Sequence, residues 1–139
     1  MTHTRRMLPA LLAPLAIAAC LLGCNSRATA GHEYLGNWQH TTTFKNSYFS
    51  DPSKTATATN LDTLTITKEG DHFLVREIRT MDDGFGKTAN LGTHTTPAII
   101  TNGILQLADG SSQPYTYVKS TDTLVTRPGE HDIEYHRSK

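Results

Sequence analysis

Turn-forming residues recur along the chain from Glu69 onward at spacings of roughly 8 to 12 residues, which is the rhythm of short strands joined by tight turns. The punctuation consists of Glu69-Gly70-Asp71, Asp83-Gly84, Asn90-Leu91-Gly92, Asn102-Gly103, Asp109-Gly110, Ser120-Thr121-Asp122 and Pro128-Gly129. Asn102-Gly103 is the sharpest of these. It separates Ala98-Ile99-Ile100 from Ile104-Leu105-Gln106-Leu107, and Asn-Gly favours the type I′ hairpin turn. Between the turns, apolar and polar residues alternate. Leu64 and Ile66 are interleaved with Thr63, Thr65 and Thr67, Tyr115 and Tyr117 flank Thr116, and Ile133 and Tyr135 flank Glu134. This two-residue period predicts strands with one face inward and one face wet. Twenty threonines from Thr29 onward reinforce the assignment, because β-branched side chains pack well on a pleated surface.

About eight strands are expected, starting near Leu35 to Thr43 and ending near Glu130 to His136. Eight sequential strands with tight turns predict an all-β, antiparallel up-and-down barrel, whose closure would remove exposed edges. A β-sandwich is the alternative. The 17-residue stretch Phe44 to Asn60, FKNSYFSDPSKTATATN, breaks the rhythm and is expected to be an irregular connection. Its aromatics Phe44, Tyr48 and Phe49 either cap one end of the core or form a binding loop.

The first 23 residues differ from the rest. Arg5-Arg6 precede an uncharged apolar run, Met7 to Leu22, that is interrupted by Pro9 and Pro14. At 16 residues it is short for a membrane span and matches a secretory apolar region. It ends in Leu21-Leu22-Gly23-Cys24, which resembles the lipobox of bacterial lipoproteins, an apolar residue and a small residue just before cysteine. The resemblance implies cleavage after Gly23 and diacylation of Cys24. Ile17-Ala18-Ala19-Cys20 is a looser competitor, but it would leave Leu21 and Leu22 in the tether, whereas polar Asn25-Ser26-Arg27 follows Cys24 directly. One acyl chain binds a membrane marginally, and two or more hold it stably.

The expected organisation is a signal peptide over 1–23, a lipidated cysteine and small polar tether over 24–31, and the β domain over 32–139. Seven extended tether residues reach roughly 25 Å, which keeps the domain near the bilayer. Asn25, rather than Asp, follows the cysteine and favours the periplasmic face of the outer membrane over the inner membrane. Beyond the leader, eleven Lys and Arg stand against thirteen Asp and Glu, a net −2. That balance lacks the basic face nucleic-acid binding requires, so any membrane affinity must come from acyl chains. Both cysteines lie at or before residue 24, which excludes a disulfide, a thiolate metal site or a cysteine nucleophile within the domain.

Gly36-Asn37-Trp38 at the start of the first expected strand resembles the Gly-x-Trp of lipocalins and their shorter barrel relatives, the avidins and fatty-acid-binding proteins. In those proteins the Trp plugs the closed end of the barrel, and a basic residue from near the last strand packs across it. The resemblance implies barrel-closing roles for Trp38 and either Arg127 or Arg137, with Arg137 the working choice. Thr121-Asp122-Thr123 matches two residues of the late Thr-Asp-Tyr of lipocalins. The resemblance implies binding rather than catalysis.

No nucleophile elbow, calcium loop, phosphate loop or zincin motif is present. Of the six histidines after the leader, His136 shares a strand face with Asp132 and Glu134, a pattern expected of a solvated face. The chain is therefore read as a non-enzyme without catalytic, cofactor or metal residues. Two functions are expected. The first is a lipocalin-like binding or envelope-support lipoprotein with a small apolar ligand or a protein partner. The alternative is an inhibitor or immunity lipoprotein that binds a hydrolase or toxin.

Overall fold

The computed structural model describes residues 30–110 and 113–139. A 3-10 turn, His32–Tyr34, leads into eight antiparallel strands. They are β1 (Gly36–Tyr48), β2 (Asp51–Glu69), β3 (His72–Asp82), β4 (Thr88–Thr101), β5 (Ile104–Leu107), β6 (Thr116–Val118), β7 (Thr123–Thr126) and β8 (Ile133–Arg137). The strands form one sheet in the order β5-β4-β3-β2-β1-β8-β7-β6. Its two ends meet where Leu105 and Tyr115 exchange backbone hydrogen bonds of 3.0 and 2.8 Å. The result is a nearly closed up-and-down barrel, and the single curved sheet rules out the sandwich alternative.

The expected turn at Asn102-Gly103 joins β4 to β5. Both residues have positive φ, 54° and 78°, as a type I′ turn requires. Asn90-Leu91-Gly92 does not form a turn. It lies inside β4, where Arg79 pairs with Gly92 and Thr80 with Asn90, so that Leu91 is the extra residue of a bulge.

The expected irregular connection from Phe44 to Asn60 is also corrected. The ladder between β1 and β2 continues from Gly36↔Ile66 through Ser47↔Thr55, and Tyr48↔Asp51 closes it beyond a register shift. Phe49 and Ser50 form the turn, and Pro52, Ser53 and Lys54 bulge out of the ladder. Threonine alternating with small alanine over Thr55 to Thr59 favours extended backbone even where no core lies beneath it.

The strands are unequal. β1 to β4 run for 13, 19, 11 and 14 residues, whereas β5 to β8 run for 4, 3, 4 and 5. The wall therefore goes all the way round at one end only, and β1 to β4 project beyond it. The core fills the complete end with Tyr34, Trp38, Leu64, Ile66, Phe73, Val75, Ala98, Leu105, Tyr115, Leu124 and Tyr135. Burying each large apolar side chain stabilises the fold by roughly 1.5–3 kcal/mol. Gly31, expected in the tether, is buried against the fold.

Candidate functional site

At the closed end Trp38 is fully buried, and its indole Nε1 donates to the Tyr34 carbonyl at 2.9 Å. The Tyr34 hydroxyl donates to the Gly103 carbonyl at 2.7 Å and accepts from the Tyr117 amide at 3.2 Å. Each buried polar tip thus has a partner, and the N-terminal turn is tied to the strands across the barrel. β8 pairs with β1 in a register that sets Arg137 opposite Trp38. The Arg137 guanidinium lies 4.0 Å from the indole centroid. It donates to the carbonyls of Leu35 at 2.6 Å and Glu33 at 3.0 Å, and it pairs with Asp122 at 3.0 Å.

This arrangement accounts for the glycine of Gly-x-Trp. Gly36 has φ 121°, and a Cβ there would stand 2.9 Å from Arg137 Nη1. Arg127, the other candidate, points elsewhere and pairs with Asp132. The residues Thr121-Asp122-Thr123 sit at the β6–β7 turn, where Asp122 receives both Arg137 and the Tyr117 hydroxyl. The Arg137 guanidinium holds the Asp122 carboxyl below the usual carboxylate range.

Above the core lies a charged layer that sequence reasoning missed. Strand register aligns His40 with Asp62 and Asp62 with Arg79 across β1, β2 and β3. Arg79 bonds Asp62 at 2.9 Å and Glu77 at 3.1 Å. The Asp62 carboxylate is the main reason that the Arg79 guanidinium is held above its ordinary value. His40 bonds the Glu134 carbonyl through Nδ1 at 2.8 Å, and its ring lies 5.6 Å from that of Tyr135. Burial is the chief cause that pushes the Tyr115 and Tyr135 hydroxyls up, with the nearby Asp62 and Glu77 charges adding to it. The open depression here, about 370 Å³, is lined by His40, Thr42, Asn60, Asp62, Arg79, Leu91 and Ile133. Charged and polar side chains project into it beside Leu91 and Ile133, and the Arg79 guanidinium is already shared by Asp62 and Glu77.

The projecting end is different. Phe44 and Tyr48 are nearly half exposed and Phe49 is wholly exposed, so they do not cap the core. Tyr48 packs edge-on against Phe85 at 5.2 Å, which brings the β3–β4 loop against the β1–β2 tip. Asn46 donates to the Asp83 carbonyl at 3.1 Å. The Asp83 carboxylate accepts from the amides of Phe85 at 2.8 Å and Lys87 at 3.0 Å. Those amides, Lys87 foremost, hold its carboxyl below the ordinary range. The loop is therefore built rather than loose. Together the tip and the loop surround an open depression of about 560 Å³ bordered by Tyr48, Phe49, Phe85, Asp83 and Lys87. Phe85, Asp83 and Lys87 were missed, because only the turn signal Asp83-Gly84 marks that loop in the sequence.

Gly23 and Cys24 lie outside the described residues. Among the described residues no three His, Cys, Asp or Glu side chains converge as a metal site, and no helix is long and apolar enough to cross a membrane. No family model matches the chain, and neither a curated protein nor a solved structure matches it.

Proposed function

We propose that the chain is a lipid-anchored, non-catalytic binding protein of the outer membrane's periplasmic face that engages a protein partner through its projecting hairpins. The observation that carries this reading is the aromatic tip. β1 and β2 run past a filled core and end in exposed Tyr48 and Phe49, with Phe85 brought alongside. Exposed aromatics grouped on a rigid support are the usual anchors of protein interfaces.

Three further points support it. The apolar interior is occupied by side chains, and an apolar ligand in the open depression above it would lie against the Asp62–Arg79 ion pair, His40 and Asn60. The lipobox-like Leu21-Leu22-Gly23-Cys24 supplies an anchor that a net charge of −2 does not. The N-terminal entry at Gly31 lies at the closed end, and the tip stands at the other end of β1, about 40 Å away along the strand. An anchor at Cys24 would thus present the tip away from the bilayer. This favours the inhibitor or immunity reading over ligand sequestration.

The test is site-specific photocrosslinking in cells. A photoreactive residue at position 49 should give a discrete adduct, which Tyr48→Ala and Phe85→Ala weaken. A photoreactive residue at Gln106, far from the tip, should give none. Absence of any adduct from position 49 in the membrane-localised protein would sink the proposal.

A further inference from the structure

The charged layer above the core is incompletely satisfied. The Asp62 side chain is only 16% exposed, yet just one of its oxygens, Oδ1, is taken by Arg79 Nε. Glu77 gives Oε1 to Arg79 Nη2 in the same way. Among the described residues, Asp62 Oδ2 and Glu77 Oε2 receive no hydrogen bond. An ionised carboxylate only accepts, and an enclosed one with a single donor is left short of partners. Two carboxylates against one guanidinium also give the layer a net charge of −1.

The surrounding side chains add an acceptor and two unpaired hydroxyls. His40 stands opposite Asp62 in the β1–β2 ladder, which puts their Cβ atoms about 5 Å apart. Its Nδ1 lies 2.8 Å from the Glu134 carbonyl, and a carbonyl only accepts. The ring proton therefore sits on Nδ1, and Nε2 of the neutral ring is an acceptor. Tyr135 lies beside it, ring to ring at 5.6 Å, and Tyr115 packs edge-on against Tyr135 at 6.0 Å. Tyr135 and Tyr115 are 3% and 4% exposed, yet among the described residues neither hydroxyl has a hydrogen-bond partner. Both hydroxyls feel the Asp62 and Glu77 charges, so they point toward this layer. Beside it, Ile133 lines the depression, and the bulge in β4 sets the half-exposed Leu91 at its rim.

We infer that this layer binds a primary ammonium group carried on a short unbranched alkyl chain. An ammonium has three donors and no acceptor, which suits Asp62 Oδ2, His40 Nε2 and the Tyr135 hydroxyl. Its charge offsets the −1 of the layer. Its methylenes cover Leu91 and Ile133, and the depression of about 370 Å³ has room for a few carbons. A guanidinium fits less well. Its planar fork seeks both oxygens of one carboxylate, and each carboxylate here has one oxygen engaged by Arg79. An anion would meet the two carboxylates, and among the described residues no three ligands converge on a metal ion. Two sources carry the ammonium, a free alkylamine and the lysine side chain of a protein, and the experiment separates them. The inference does not rest on the tip-docking reading, because the site uses none of Tyr48, Phe49 and Phe85.

The experiment uses the full chain in phosphatidylcholine nanodiscs, whose lipid carries no net charge, with n-butylammonium as the probe. The methyl groups of Leu91 and Ile133, followed by NMR, should shift saturably with a Kd at or below about 1 mM. n-Butanol has the chain without the charge and should bind at least tenfold more weakly, and butyrate should not bind. Asp62→Asn removes the charge and should weaken n-butylammonium at least tenfold. Tyr135→Phe removes only the hydroxyl and keeps the buried ring, so it tests the site even where Asp62→Asn loosens the fold. It should weaken binding roughly three- to tenfold while Trp38 fluorescence remains native. Phe49→Ala should leave binding unchanged, and a loss there would move the site to the tip and overturn the inference. A blocked glycyl-lysyl-glycine peptide that binds more tightly than n-butylammonium assigns the site to a protein's lysine, and the reverse order assigns it to a free amine. No saturable shift up to roughly 10 mM overturns the inference. So does n-butanol binding as tightly as n-butylammonium, or unchanged affinity in both Asp62→Asn and Tyr135→Phe.

Discussion

Replacing Arg137 by alanine should destabilise the fold by about 2–4 kcal/mol. The figure is assembled from the contacts the guanidinium makes. Its position 4.0 Å from the Trp38 indole centroid is a cation–π contact, worth about 1–2 kcal/mol when partly desolvated. Its bonds to the Leu35 and Glu33 carbonyls are charge-assisted, each worth about 1.5–3 kcal/mol in a fully buried setting. Here the side chain is 35% exposed, so both bonds are discounted, because water can replace the guanidinium at the vacated carbonyls. The Asp122 ion pair is half exposed and screened and adds little. Lysine can reach one of these partners but not all of them, so Arg137→Lys should recover no more than about half of the loss. The assay is urea unfolding followed by the fluorescence of Trp38, the single tryptophan and the group the guanidinium covers. Arg127→Ala, at an exposed pair, is the control and should leave the midpoint where it is. An Arg137→Ala loss below about 0.5 kcal/mol, or a lysine variant as stable as the native chain, would mean that the guanidinium does not hold the closed end, because surface substitutions alone produce changes that small.

Gly36→Ala should cost about 1–3 kcal/mol, since alanine at φ 121° is strained and its Cβ meets Arg137 Nη1. The loss should shrink when combined with Arg137→Ala, and full additivity in the same unfolding assay would argue against that contact. The Asp122 carboxyl is held below its ordinary value chiefly by Arg137, so the stability it contributes is present above the unfolded-state pKa of about 3.9 and is lost as pH falls through the lower folded value. Carbon-detected NMR titration should find its midpoint depressed in the native chain and returned toward ordinary in Arg137→Ala; an ordinary midpoint in both would contradict the pairing. Tyr115 and Tyr135 are raised by burial, which gives the opposite pH dependence: their contribution is intact below about pH 10 and declines as pH rises above the unfolded-state value. Phenolate absorbance should therefore show these two, together with the equally buried Tyr34, ionising late, with unfolding, and a smooth ordinary titration of all five tyrosines would contradict their burial.

The legible parts of the fold are those where a local signal and the core agree. Asn102-Gly103 specifies its turn by backbone sterics alone, and Leu64 and Ile66 alternate because one face of β2 meets the core. The projecting hairpin was not legible for the same reason in reverse. Beyond Ala58 no core lies under β2, so no apolar alternation marks the strand, and the turn at Phe49-Ser50 lacks a glycine signal. Asn90-Leu91-Gly92 has turn chemistry but serves a bulge, because β3 continues to pair on either side of it.

The choice between Arg137 and Arg127 needed strand register, which sets only Arg137 opposite Trp38. The charged layer of His40, Asp62, Glu77 and Arg79 draws on three strands, and no spacing in the linear chain brings those residues together. The pairing of Phe85 with Tyr48 likewise depends on two separate hairpins meeting at their ends.

Whether this barrel is held to a membrane by lipid on Cys24, with its aromatic tip turned toward a partner, is decided first by mass spectrometry of the mature N-terminal peptide. The peptide should begin at Cys24, carrying a diacylglycerol thioether, with the 23 preceding residues removed. An unmodified N-terminus, or acylation at Cys20 instead, would contradict it.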